Sequence, residues 1–176
     1  MFGLFKRGKP ELLPDEPIEL KVAIEIENSA DAVYALLDWG DERNQMRARG
    51  NIVRRESEQP EVYRLWYDRA PELNFLMTVT DAVPGRHYAF LANIVPLVGL
   101  RIGSHENYMI QPLGDDRCRV TFVNTVHHQP GLNQAQLAQE ISMSTMAAAT
   151  GMTKLKLQAE RGAEAVAEFE RETDCC

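Results

Sequence analysis

Two neighbouring stretches hold the side chains best suited to do chemistry. In "LRIGSHENYMIQPL" (100–113) every second residue from Leu100 gives Ile102, Ser104, Glu106, Tyr108 and Ile110; in "RCRVTFVNTVHH" (117–128) the same step from Cys118 gives Val120, Phe122, Asn124, Val126 and His128. Side chains alternate between the two faces of a strand, so if the apolar members of each set point inward, Glu106, Tyr108, Asn124 and His128 point inward with them. A carboxyl, a phenol, an amide and an imidazole on one inward face would orient a bound molecule through hydrogen bonds, or act as acid and base in proton transfer on a carbonyl compound. The competing reading is ordinary: a bulge would turn Glu106 to solvent, and Asn124 would bond to backbone at a sheet edge.

Other chemistries lack their signatures. The chain has no G-x-S-x-G elbow, H-E-x-x-H helix, phosphate-binding P-loop or G-x-G-x-x-G fingerprint. His127 and His128 are adjacent, and adjacent strand residues face opposite ways, so one ion would be held by both only through loop geometry past the strand end. His87 and His105 stand apart from any cysteine or carboxylate at ligand spacing. No metal site and no cofactor are expected.

The 176 residues fit one domain with a real core, and a formal charge of -7 with scattered basic residues argues against a nucleic-acid partner. Arg43, Arg47, Arg49, Arg54 and Arg55 are interspersed with Asp41, Glu42 and Glu56, and read as a solvated, mixed-charge surface. Residues 1–17, "MFGLFKRGKPELLPDEP", are expected to form a flexible leader without the features of a secretory signal, which makes a cytoplasmic location the default. Phe2, Leu4 and Phe5, backed by Lys6, Arg7 and Lys9, would give only weak and reversible membrane contact, not stable insertion. Cys118 falls in a strand-like run and Cys175 and Cys176 in a tail spanning 172–176, so no disulfide framework is implied.

The elements that must position these residues follow from periodicity. "IELKVAIEIE" from Ile18 alternates as a half-buried strand; Asn28 or Ser29 then caps a short helix carrying Val33, Leu36 and Leu37 and ending near Asp38. "WGDERNQMRARG" reads as a loop or a second short helix closed by Gly50. Six strand-like runs follow, punctuated by Gln59-Pro60, Ala70-Pro71, Pro84-Gly85, Pro96 to Gly99 and Gly114 to Asp116; such short links demand antiparallel pairing. Asn133 and Gln136 make a capping box for one long helix reaching about Arg171, with any bend near Gly151. Its packing face is expected at Leu137, Ile141, Thr145, Ala148, Met152, Leu155, Ala159, Ala163 and Val166, with "ERGAEAVAEFERE" extending past the sheet.

A first strand leading into "ENSADAVYALLDW", a meander ending in "ENYMIQPLGDDRCRVTFVNTV" and a final helix containing "TGMTKLKLQAE" resemble the START-like, or helix-grip, superfamily over roughly Ile18 to Phe169. That group includes polyketide cyclases, birch-pollen-allergen-like proteins, coenzyme Q-binding proteins and lipid-transfer domains. The resemblance implies an α+β domain over 18–171, in which a curved seven-stranded antiparallel sheet wraps around the long C-terminal helix and leaves a cavity for a hydrophobic small molecule. On that fold the expected lining comprises Tyr67, Phe75, Met77, Phe90, Ile102, Glu106, Tyr108, Phe122, Asn124 and His128 from the sheet. From the helix it takes Met143, Met146, Ala147, Thr150 and Met152, in a stretch whose small residues and methionines withhold volume from the core.

Three functions are compatible with this reading. The first is binding or carriage of a hydrophobic or amphipathic small molecule; the second is a cyclase/aromatase-type enzyme using Glu106, Tyr108, Asn124 or His128; the third is a co-chaperone-like interaction module. An enclosed cavity favours the first two, and an exposed apolar patch over a filled core favours the third.

Overall fold

The computed structural model describes residues 16–67 and 70–173. The expected leader therefore lies, apart from Glu16 and Pro17, outside the described residues, as do Asp174, Cys175 and Cys176. Strand β1 (Ile18–Ile26) is followed by the short helices α1 (Ala30–Leu37) and α2 (Gln45–Ala48). Six further strands follow: β2 (Ile52–Glu58), β3 (Glu61–Tyr67), β4 (Ala70–Val83), β5 (His87–Val95), β6 (Arg101–Pro112) and β7 (Cys118–His128). Helices α3 (Gln134–Arg161) and α4 (Ala163–Thr173) complete the described chain.

The strands form one seven-stranded antiparallel sheet in the order β1-β7-β6-β5-β4-β3-β2. Six strands are a meander, and β1 closes on the last of them, with Ile18 opposite Val126 and Ile26 opposite Cys118. The link through α1 and α2 therefore carries the chain from one edge of the sheet to the other. Ala70-Pro71, read from sequence as a turn, falls inside β4 instead.

Capping chemistry sets the helix starts. Ser29 accepts from Ala32 N at 3.2 Å, and Asn133 and Gln136 form the expected capping box of α3. Asn44 is buried and serves two helices at once: its carbonyl accepts from Met46 N at 3.0 Å, and its amide donates to Leu36 O, Leu37 O and Asp38 O at the end of α1. One side chain thus closes α1 and opens α2.

Helix α3 lies mainly along β1. Lys156 Nζ donates to Glu25 O at 2.6 Å, Asn28 Nδ2 to Ala159 O at 2.7 Å, and Glu160 accepts from Glu27 N at 2.8 Å, which pins its C-terminal half to the end of that strand. Its buried residues are Glu140, Ser144, Ala148, Met152, Leu155 and Gln158. In the first half this face is one position earlier than expected, with Ile141 and Thr145 exposed. The long helix also ends sooner than its pattern suggests: it runs unbroken through Gly151 and stops at Gly162, whose φ of 86° and ψ of 177° suit glycine alone. Helix α4 then packs back on α3 through Ala165 and Val166.

Candidate functional site

Between the inner face of the sheet and α3 lies a cavity of about 1100 Å3. Register assembles its floor. Phe90 on β5 is opposite Glu106 on β6, and Glu106 is opposite Asn124 on β7; one step along, Tyr108 is opposite Phe122. Met77 pairs with Ala92, Ala92 with Ser104, and Leu65 with Phe75. The rings of Phe90, Tyr108 and Phe122 stack in series, with centroids 6.2 and 4.6 Å apart, while Tyr67 and Phe75 meet edge to face at 5.3 Å. The floor is thus aromatic, with a polar row set into it.

That row is hydrogen-bonded within itself. Tyr108 Oη donates to Glu106 Oε2 at 3.0 Å, Ser104 Oγ to Glu106 Oε1 at 3.4 Å, and Arg101 Nη2 to Ser104 Oγ at 2.7 Å. Burial is the main influence on Glu106 and pushes its pKa above the usual carboxylate value, although the Arg101 charge and the bonds from Tyr108 and Ser104 pull the other way. Burial, then the Glu106 carboxylate, push the Tyr108 phenol well up; Tyr67 is raised by burial and by Glu106, against Arg49 and Arg101. A carboxyl held toward its neutral form is able to donate a proton or a hydrogen bond to a ligand oxygen.

Polar atoms left over cluster here as well. Asn124 Oδ1, Arg101 Nε and Trp39 Nε1 are buried without a hydrogen-bond partner, and all three residues line the cavity. Buried polar groups are normally satisfied, so their grouping around one space marks it as unfinished by protein atoms alone.

Of the residues expected from sequence, Tyr67, Phe75, Met77, Phe90, Glu106, Tyr108, Phe122, Asn124, Met143, Met146, Ala147, Thr150 and Met152 line this cavity. Ile102 and His128 do not. The register slips between Arg101 and Gly103, so Ile102 is the extra residue of a bulge and stands exposed, while Arg101 takes the place on the cavity side. Gly103 permits this, because a Cβ there would meet Ala92 O at 2.7 Å. His128 is drawn off by the helix: its Nε2 lies 3.2 Å from Glu140 Oε2, with the two side chains 4% and 10% exposed. That contact also explains why Glu140 is turned inward.

The helix residues divide into two kinds. Met152 and Ala148 are buried, but Met146 is 67% exposed, and Met143, Ala147 and Thr150 are exposed with it. They form a rim, with the cavity opening beside them. Arg49 at the C-terminal cap of α2, Lys154 on α3 and Glu164 and Glu170 on α4 also border it. The arginine segment is accordingly mixed in role: Arg43 is an exposed partner of Asp41, whereas Arg47 donates inward to Val53 O and Trp39 O and Arg49 faces the cavity. Among the site residues that periodicity misses are Arg101, because of the bulge, and Arg49, because it sits among acids in a loop-like stretch.

No family model matches the sequence, and no curated protein matches it. Solved structures do match. The di-domain ARO/CYC BexL from the BE-7585A biosynthetic pathway is similar with a TM-score of 0.66 at 17% identity, over 79% of this chain and 45% of that one. DynU16, from the dynemicin biosynthetic locus, gives 0.61 at 15% identity over 86% and 50%. A START superfamily protein from Mycobacterium smegmatis gives 0.53 at 12% identity over 80% and 96%. The chain spans about half the length of the first two. At such identities the likeness is one of architecture, and with the curved sheet, the gripped helix and the space between them it shows that this chain has the helix-grip fold of START-like proteins.

Proposed function

We propose that the chain binds an amphipathic small molecule in the cavity between sheet and α3. One observation carries this reading: a space of about 1100 Å3 has aromatic and methionine side chains in its lining, and among them a polar row at Arg101, Glu106, Tyr108 and Asn124, with Ser104 hydrogen-bonded to Arg101 and Glu106. Ligand pockets have this composition, with an apolar surface for affinity and a few fixed polar groups for orientation. Among the described residues no helix is long and apolar enough to cross a membrane, so the reading involves no helical membrane anchor within that part of the chain. The partner is a small molecule and not nucleic acid.

The test is native mass spectrometry of the purified full chain, together with titration of an environment-sensitive apolar dye. A bound small molecule, or saturable dye uptake that Ala92→Trp abolishes in a folded protein, is expected. Dye uptake unaffected by Ala92→Trp, with no co-purifying molecule, would refute the reading.

A second reading, proton transfer on a bound carbonyl compound in the manner of a cyclase, is favoured by the raised pKa of Glu106 and its bond to Tyr108. The ARO/CYC similarity supports it as an analogy of fold. It requires that Glu106→Gln retain ligand while losing turnover. The interaction-module reading called for a filled fold, and the cavity leaves it without support.

A further inference from the structure

Two cations and one carboxylate meet at the cavity mouth. Arg49 Nη1 lies 3.2 Å and Lys154 Nζ 2.7 Å from the same oxygen, Oε1 of Glu170, and all three side chains are largely buried. They come from three places in the fold: the C-terminal cap of α2, helix α3 and helix α4. Each borders the cavity, so the ion cluster forms part of its wall and not a remote surface feature. Arg49 is held in place independently of Glu170, since its Nε donates to Gln45 O at 3.2 Å and α2 itself is anchored by Asn44. Lys154 sits on the long helix, two residues after the buried Met152 and next to the buried Leu155.

One cation thus sits at the end of the anchored α2 and the other on the anchored α3. Their carboxylate rides on α4, an eleven-residue helix set off by the Gly162 turn. Two partly desolvated cations require an anion, because leaving either uncompensated is costly. Any anion of the same geometry arriving through the mouth would meet that requirement equally well, and a carboxylate is the geometry on display. Glu164, also at the mouth, is exposed and its charge is screened by solvent. Within the cavity proper, Arg101 donates to Ser104 through Nη2 and has the Glu106 carboxyl beside it, although its Nε has no partner.

Resting on the cavity reading above, we propose that Arg49 and Lys154 form an anion subsite for the carboxylate of an amphipathic acid whose apolar body fills the cavity, and that Glu170 occupies this subsite as a stand-in that the ligand displaces. The ligand class narrows accordingly to apolar acids. Exchange of one carboxylate for another keeps both cations paired and returns Glu170 to water, so the apolar body supplies most of the affinity and the acid group adds a smaller share and gives direction.

The experiment uses the full chain, dansyl-undecanoic acid and its methyl ester as fluorescent probes, and the variants Glu170→Gln, Lys154→Gln and Arg49→Gln with Lys154→Gln, each checked for folding by circular dichroism. The wild type is expected to prefer the acid to the ester. Glu170→Gln is expected to tighten the acid by about tenfold, the scale of one charge-assisted hydrogen bond, and to leave the ester within about twofold. Removing one cation should weaken the preference and removing both should erase it. Equal binding of acid and ester in every variant overturns the subsite while leaving the cavity reading intact; failure of both probes to bind any variant overturns both. Weaker acid binding in Glu170→Gln also overturns the stand-in role.

Discussion

Tyr108 Oη donates a 3.0 Å hydrogen bond to Oε2 of Glu106, two residues back on the same face of β6, in the floor of the cavity. Burial raises the Glu106 pKa above its ordinary 4.5, so the folded chain holds that proton more tightly than the unfolded chain does. Its contribution to stability is complete below the unfolded value and is lost as pH rises through the higher folded value. Glu106→Gln has no such proton to lose. The free energy of unfolding of this variant relative to wild type should therefore rise as the pH climbs above the ordinary carboxylate value in urea titrations; a flat difference would show that Glu106 titrates normally.

Tyr108→Phe keeps the ring stacked on Phe122 and removes only the hydroxyl. That hydroxyl favours the ionised form of Glu106, so its loss should move the Glu106 titration further up. Stability should fall by about 1 kcal/mol for the missing hydrogen bond. Carbon-13 chemical shifts of the Glu106 carboxyl across a pH series measure the first effect, and a downward movement would contradict it.

Two glycines on the last helices should respond in opposite directions. Gly151 lies inside α3 with open space where a Cβ would go, so Gly151→Ala should stabilise the protein by about 0.5–1 kcal/mol through helix propensity. Gly162 has a φ of 86° between α3 and α4, and Gly162→Ala should cost about 1–3 kcal/mol. Its α4 amides should also exchange faster with deuterium. Melting temperatures of the two variants give the comparison.

His128 and Glu140 tie the end of β7 to α3 in a buried contact of 3.2 Å. Glu140→Ala leaves a buried imidazole nitrogen without this partner and should destabilise by about 1–3 kcal/mol. Because neither residue lines the cavity, dye affinity measured well below the melting temperature should stay within about twofold of wild type. A selective loss of affinity would place His128 back in the site.

The legible part of this molecule is the part that alternation controls. Ile18 to Ile26 alternates cleanly and forms β1 over that span, and the step of two placed Glu106, Tyr108, Phe122 and Asn124 on one face because their strands are regular there. Alternation failed where backbone geometry departs from it. Arg101 and Ile102 exchanged faces at a bulge whose sequence mark was Gly103, a glycine inside an otherwise strand-like run. The helix stop was legible too, in Arg161 followed by Gly162, but the continuing three-and-four spacing through Ala163 and Val166 masked it. Nothing local marks Glu140 as buried or Glu170 as the meeting point of Arg49 and Lys154, since those contacts join different elements and depend on how these pack.

Helix α3 keeps its anchoring residues and its rim residues on different sides. Leu155, Met152 and Ala148 hold it to the core, while Met143, Met146, Ala147 and Thr150 border the opening and are exposed. Substitutions at the rim would change what the protein admits with little effect on whether it folds. On the proposed binding reading, selectivity and foldability lie on separate faces of one helix, and a lineage could retune the first without endangering the second.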